Sequence, residues 1–112
     1  MKRKKIPKEI KEVVKIRQNC KCACCLDFGR EYHHVIATSR IFGEYINSKN
    51  VVLLCKKHHK LFHLGDPETY QTVYEYVWYI IYGYLPENKD LTSITEEVFS
   101  KLKKDFGKEL SK

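Results

Sequence analysis

The chain has 112 residues, 43% of them hydrophobic and 31% charged, which predicts one small domain over residues 1–112 and excludes a multidomain enzyme with a large buried cavity. No stretch reaches the ~20 consecutive apolar residues of a membrane-spanning helix. The first residues also lack the apolar segment of a signal peptide. We therefore expect no membrane association and a cytoplasmic location.

The formal net charge of +7 is concentrated at one end of the chain. Residues 1–21 contain nine Lys or Arg and two acidic residues, whereas the remaining basic and acidic residues balance. Such a basic segment suits binding to a phosphate backbone, and it suits a solubilising tail equally well. The candidate phosphate contacts in this segment are Lys2, Arg3, Lys4, Lys5 and Arg17.

The pattern of apolar residues predicts a mixture of helices and short strands. Pro7, which is favoured in the first turn of a helix, opens an amphipathic helix over residues 7–18 with a basic outer face. Residues 31–36 and 51–54 are rich in Val, Ile and Tyr and predict two strands. A helix over about residues 57–64 follows them.

Two further helices form a predicted extension over residues 66–110. Asp66 and Pro67 are a good N-cap and first-turn pair for the first of them. Ser93 and Glu96 have the spacing of a capping box, which places the start of the final helix at Ser93.

The first helix of this extension carries many aromatic residues between Tyr70 and Tyr84. These rings could stack on nucleic-acid bases. We favour a core or dimer surface instead, because the aromatic residues surround the helix and do not line a basic groove.

The five cysteines favour a metal site over disulfides, because their number is odd and four of them fall within residues 20–25. The spacings Cys22-x-x-Cys25 and Cys55-x-x-His58 supply the four soft ligands of a closed tetrahedral zinc site. Such a site would stabilise a weak core. Cys20 and Cys24 remain alternatives within the first pair.

All five histidines lie between residues 33 and 63. His33 and His34, adjacent on a strand, point to opposite faces, whereas His59 and His63 share one face of a helix. An ion held by His33, His59 and His63 would keep open coordination positions, as in catalytic sites, and His34 would be available as a base. Two alternatives stay open: ordinary polar histidines, and His58 and His59 as alternates for one zinc ion.

Three segments carry a resemblance to a known family: CACC at residues 22–25, EYHHVI at 31–36 and NVVLLCKKHHKLFH at 50–63. Together they resemble the zinc-containing branch of the HNH endonucleases, the ββα-metal or His-Me finger nucleases, and most of all a stand-alone phage nuclease. The resemblance implies an α+β fold with a small ββα-metal core and a structural zinc over residues 20–64. An N-terminal basic helix and two C-terminal helices would flank this core.

The resemblance also implies roles for individual residues. His34 is expected to be the general base, and Asn50 to brace the loop between the strands and orient that base. The expected ligands of a catalytic divalent ion are His33, His59 and His63, and those of the structural zinc are Cys22, Cys25, Cys55 and His58. The expected phosphate contacts near the site are Arg40, Lys56, Lys57 and Lys60.

Three positions depart from the commonest family pattern. Many members have Asp at the position of His33 and Asn at that of His63, which gives an oxygen-rich site suited to Mg²⁺. Three imidazoles suit Mn²⁺, Ni²⁺, Co²⁺ or Zn²⁺ as well, so the sequence leaves the catalytic metal open. His58 replaces a commoner Cys, which is a conservative change for zinc.

The function expected from this resemblance is metal-dependent DNA cleavage by phosphodiester hydrolysis. Either nicking or double-strand cleavage with weak sequence specificity is expected, with DNA as partner and a homodimer or a targeting or packaging protein as further partners. The alternatives are a non-catalytic zinc-stapled DNA-binding module and a packaging accessory factor. Both are disfavoured, because a module that only binds has no need of an open metal site beside a free base.

Overall fold

The computed structural model describes residues 6–36 and 48–110, with side chains described as far as residue 102. The predicted contacts Lys2, Arg3, Lys4, Lys5 and Arg40 lie outside the described residues. Within the described part, the chain is a mixed α+β structure with four α-helices and one two-stranded sheet, which confirms the predicted class. In chain order the elements are α1 (Lys8–Arg17), β1 (Glu31–His34), a 3₁₀ turn (Ser48–Asn50), β2 (Val51–Leu54), α2 (Lys56–His63), α3 (Pro67–Tyr82) and α4 (Leu91–Leu110).

The two strands are antiparallel, and their register decides which way each histidine points. His33 lies opposite Val52, and His34 lies opposite Val51. Because alternate residues of a strand face opposite sides, His33 and Val52 share one face with the main core, whereas His34 and Val51 face the other side. Leu54 is fully buried on the first of these faces.

The main core lies between the sheet and the three C-terminal helices. Phe62 of α2 stacks on the ring of Tyr70 of α3, with 4.4 Å between centroids. Val77 of α3 and Val98 of α4 are fully buried in the same cluster. The apolar faces of α2, α3 and α4 thus hold β1 and β2 in place by burying hydrophobic surface.

A second, smaller cluster joins α1 to the opposite face of the sheet. Val14 of α1 packs with Val51 and Leu53, which are all buried. The side-chain amide of Gln18, just after α1, donates to the carbonyl of Leu53 (2.8 Å) and accepts from its backbone N–H (2.9 Å). These bonds satisfy the backbone N–H and carbonyl of Leu53 on the free edge of β2, as the backbone of a third strand would.

Arg17 also binds the backbone near β2. Its guanidinium donates to the carbonyls of Val51 (2.7 Å) and Ser48 (3.1 Å). Bonds from a charged group to buried backbone acceptors are among the stronger hydrogen bonds in proteins. The structure therefore gives Arg17 a role in holding β2, and its expected phosphate contact stays a prediction.

Several element boundaries follow from local capping. The side chain of Asp66 accepts from the backbone N–H of Thr69 (3.0 Å), as predicted for the N-cap of α3. Gly83, with a φ of 82°, ends this helix in the left-handed conformation that glycine tolerates. The predicted start of α4 at Ser93 is wrong: the helix begins at Leu91, because Asp90 accepts from the backbone N–H of Ser93 (2.9 Å).

Strand β1 is shorter than predicted. It ends at His34, and the backbone N–H of Val35 donates to the carbonyl of Asn50 (2.8 Å) in the 3₁₀ turn. Among the described residues, no helix has the length and apolarity that crossing a membrane requires.

Candidate metal centres

The first candidate metal centre joins the loop after α1 to the start of α2. Cys55 is the N-cap of α2, and its sulfur accepts from the backbone N–H of His58 (3.5 Å). This turn brings the Cys55 sulfur to 3.2 Å from Nδ1 of His58. The loop supplies Cys22 and Cys25, so the four predicted zinc ligands come from two segments that are distant in sequence.

The spacing of these four ligand atoms fits a tetrahedral ion. All four lie within 4.8 Å of one another. The sulfurs of Cys25 and Cys55 are 3.8 Å apart, and the sulfur of Cys22 is 3.8 Å from Nδ1 of His58. With Zn–S bonds of about 2.3 Å, two sulfurs on one tetrahedral zinc lie about 3.8 Å apart. Cys22, Cys25, Cys55 and His58 could therefore hold a metal ion such as zinc.

The thiols of the loop after α1 differ in pKa. Burial, reinforced by the charges of Cys22 and Cys25, raises the pKa of Cys24 to about 12. Burial also acts on Cys22, but hydrogen bonds from the backbones of Cys55 and Cys24 outweigh it and lower the pKa of the Cys22 thiol. Burial also raises the pKa of Cys25 to about 11, so the pKa values do not separate the ligands from Cys24. The four-ligand geometry, which includes Cys22 and Cys25, is what favours these two cysteines.

The second candidate centre lies between β1 and the last two turns of α2. The rings of His33, His59 and His63 form a nearly equilateral triangle, with 4.9 Å between the centroids of His33 and His59 and 4.7 Å for the other two pairs. Each of the three offers a ring nitrogen, and these nitrogens lie within 4.8 Å of one another. His33 is held from below by the buried ring of Phe62, at 4.7 Å.

The two helical histidines have the geometry of ligands to a shared ion. Nε2 of His59 and Nε2 of His63 are 3.1 Å apart. Two imidazole nitrogens at about 2.1 Å from one ion lie about 3.0–3.4 Å from each other, depending on the coordination geometry. His33 is buried, whereas His63 is exposed. The cluster is therefore open to solvent on one side, unlike a closed structural site.

Glu31 is part of this centre, although the sequence analysis did not identify it. Its carboxylate lies 2.6 Å from Nδ1 of His59, which directs Nε2 of His59 toward His63. Histidines that bind metals commonly donate their other N–H to a carboxylate, which fixes the tautomer and raises the basicity of the ring. Its position two residues before His33, on the same face of β1, was the available signal.

His34 follows His33 in β1 and faces the other side of the sheet, so it is not in the three-imidazole cluster. It is partly buried, and its Nε2 is shielded from solvent. The fully buried amide of Asn50 accepts from the backbone N–H of Ile36 and donates to the carbonyl of the same residue, both at 2.8 Å. Asn50 thereby fixes the chain two residues after His34, and its expected role in orienting His34 as a base stays a prediction.

The three lysines of α2 differ in their spacing from His59 and His63 along the helix. Residues three apart on a helix are neighbours, so Lys56 lies beside His59 and Lys60 beside His63. Lys57 has neither spacing. All three lysines are exposed. The expected phosphate contacts of Lys56, Lys57 and Lys60 stay predictions, and the spacing favours Lys56 and Lys60.

Comparison of the chain with protein families, with curated proteins and with solved structures found no match.

Proposed function

We propose that this protein is a metal-dependent DNA endonuclease in which β1, β2 and α2 form an HNH-type ββα-metal core. The observation that carries the proposal is the pairing of two different ligand clusters on one short segment. One cluster has four ligands, three of them from cysteines, which suits a structural zinc. The other has three imidazoles, one exposed side and a carboxylate that orients one ring, which suits a catalytic ion.

The proposed reaction is hydrolysis of a phosphodiester. An ion held by His33, His59 and His63 would supply positive charge that stabilises the phosphate oxygens. His34 takes the proton of the attacking water as the new P–O bond forms and the bond to the leaving oxygen breaks. Since Nε2 of His34 is buried, we assign this proton transfer to Nδ1.

Three further residues support this chemistry in the proposal. Glu31 holds His59 in the tautomer that presents Nε2. Asn50 fixes the backbone after His34 and so limits the movement of the base. Lys60, which is exposed beside His63, attracts a backbone phosphate to the open side of the cluster. Mn²⁺, Ni²⁺, Co²⁺ and Zn²⁺ are candidates for the ion, because imidazole donors accept each of them. Mg²⁺, which prefers oxygen ligands, is a candidate if water and phosphate oxygens fill the open positions.

The proposal is tested with supercoiled plasmid and zinc-loaded protein, in separate reactions with Mg²⁺, Mn²⁺ and Ni²⁺. We expect nicked or linear product with at least one ion, and a loss of at least about 100-fold in rate for His59→Ala. Gln71→Ala, on the exposed face of α3, is the control and should cleave at the normal rate. Binding of duplex DNA without cleavage under any ion would contradict the proposed endonuclease activity and favour a non-catalytic DNA-binding module.

A further inference from the structure

The loop that carries Cys22 and Cys25 ends in an unusually exposed apolar tip. Leu26 is 87% exposed and Phe28 is 67% exposed, and they flank Asp27. Residues 26–28 are called the knuckle tip below. Single exposed apolar residues are common on protein surfaces. Two large ones within three residues are instead typical of a binding surface.

The backbone of the knuckle tip is held on both sides. The carbonyl of Asp27 accepts from the backbone N–H of Cys22 (2.8 Å), and Lys21 and Phe28 form an antiparallel bridge. Gly29 follows against β2, where a Cβ would come within 2.1 Å of Leu53 Cγ. The tip is therefore preorganised, and it loses little conformational entropy when it binds.

The surroundings of the knuckle tip are basic. The ammonium group of Lys21 lies 4.8 Å from the ring centroid of Phe28. Lys15, at the end of α1, and Arg30, just after the tip, are both exposed, and Asp27 is the only acidic residue between Lys15 and Arg30. An apolar tip surrounded by basic residues complements a polyanion such as duplex DNA, whose phosphates lie outside and whose apolar base faces lie inside.

We propose that the knuckle tip is a wedge that docks on duplex DNA and inserts Leu26 and Phe28 at a base step. The proposal rests on DNA being the substrate, as argued above. Leu and Phe are residues that proteins insert between base steps in the minor groove, where they partly unstack the bases and bend the duplex. The basic rim would contact the phosphates on either side of the step.

The position of the tip in the fold suits this role. Cys25 directly precedes Leu26 and shares its ligand cluster with His58. His58 is followed by His59 of the three-imidazole cluster, with about 3.8 Å between their Cα atoms. The knuckle tip and the three-imidazole cluster are therefore linked through adjacent residues of α2, and the proposal requires one duplex to contact both.

The test uses a 30-bp duplex that contains 2-aminopurine, whose fluorescence rises when the base unstacks. Zinc-loaded protein is added without other divalent ions, and gels verify that the duplex stays intact. The double variant Leu26→Ala/Phe28→Ala is compared with Tyr84→Ala/Leu85→Ala, which removes two exposed apolar side chains after α3. Zinc content and thermal unfolding establish that both variants are folded.

Wild-type protein should bind and raise the fluorescence, and the tip variant should bind at least about tenfold more weakly with most of the fluorescence change lost. The control variant should behave as the wild type. Equal binding and fluorescence for the tip variant would overturn the wedge and leave the nuclease proposal standing. Absence of duplex binding by the wild type would overturn both. Tip-dependent binding to phosphatidylserine vesicles, with no response to the duplex, would reassign the tip to a lipid surface.

Discussion

His58 and His59 are adjacent in the chain but belong to different candidate metal centres. Nδ1 of His58 lies 3.2 Å from the sulfur of Cys55, whereas Nδ1 of His59 lies 2.6 Å from the carboxylate of Glu31. A turn of about 100° per residue on α2 separates the two rings. Any ion bound at the cysteines therefore fixes the start of the helix that carries two of the three imidazoles.

This relationship predicts that loss of the cysteine-site ion weakens the histidine site. In Cys25→Ala we expect the zinc content to fall by one ion per chain and the melting temperature to fall by about 20 °C or more. Binding of Ni²⁺ at the histidines should weaken with it, as measured by calorimetry below the melting temperature. Cys24→Ala is the matched control, since Cys24 is not in the four-ligand cluster, and it should retain both ions. An unchanged zinc content in Cys25→Ala would exclude Cys25 as a ligand.

The contact between Glu31 and His59 predicts a role in metal affinity. Glu31→Gln should weaken the divalent ion at the histidine site about 10- to 100-fold, because His59 loses the carboxylate that fixes its tautomer. Calorimetry with Ni²⁺ measures this change directly. Glu12→Gln, an exposed position on α1, is the control for the loss of one negative charge. Equal affinities in Glu31→Gln and wild type would show that the contact does not orient the ring.

Lys60 and Lys57 should differ in their effect on DNA binding. Lys60→Ala should lower the slope of log K against log salt by about one phosphate contact, because Lys60 lies beside His63. Lys57→Ala removes the same charge from the same helix and should have a smaller effect. Fluorescence anisotropy over a series of salt concentrations measures both slopes. Identical slopes for the two variants would contradict the assignment of Lys60 to the substrate side.

Arg17 should act on stability. Arg17→Ala leaves the carbonyls of Val51 and Ser48 without their donor and should lower the free energy of unfolding by about 1–3 kcal/mol. Urea unfolding measures this loss. Lys8→Ala is the control for the loss of one positive charge, because Lys8 is an exposed basic residue on the same helix. A variant with normal stability but weaker DNA binding would contradict the structural role and support the predicted phosphate contact of Arg17.

Substitutions of Asp90 and Ser93 test whether Asp90 is the N-cap of α4. The bond from the Ser93 backbone lowers the pKa of Asp90, so the folded state prefers the carboxylate. Its stabilisation is therefore present above the unfolded pKa of about 3.9 and is lost as the pH falls through the lower folded value. Asp90→Ala should lower the melting temperature at pH 7 more than Ser93→Ala, and the difference between Asp90→Ala and wild type should shrink below pH 4. A larger loss of melting temperature in Ser93→Ala than in Asp90→Ala would identify Ser93 as the N-cap instead.

Much of the fold was predictable because its signals are local. The strand at residues 51–54 was predicted with its observed limits, and the Asp66 cap follows from residues adjacent in sequence. The start of α4 was misplaced because Asp90 and Ser93 both offer a capping side chain, and the sequence does not decide which one accepts the backbone N–H. The end of β1 depends on Asn50, which is distant in sequence.

In the candidate sites too, local features were predictable from the sequence, whereas tertiary contacts were not. The spacing of cysteines and histidines identified both ligand clusters, since ligand type and interval are local properties. The contacts of Glu31 and Arg17 were missed or assigned otherwise, because each depends on which residues the fold brings opposite them. Tertiary partners of a charged side chain are not encoded in its own neighbourhood in the sequence.

The most direct test of the central claim separates metal binding from proton transfer at the histidine site. Zinc-loaded wild type, His34→Ala and His33→Ala are each titrated with Ni²⁺ or Mn²⁺ and assayed in parallel on supercoiled plasmid. We predict that wild type binds one ion beyond the structural zinc and cleaves, that His34→Ala binds this ion but does not cleave, and that His33→Ala does neither. Cleavage by His34→Ala at the wild-type rate, or cleavage by wild type that does not depend on the added ion, would contradict this account.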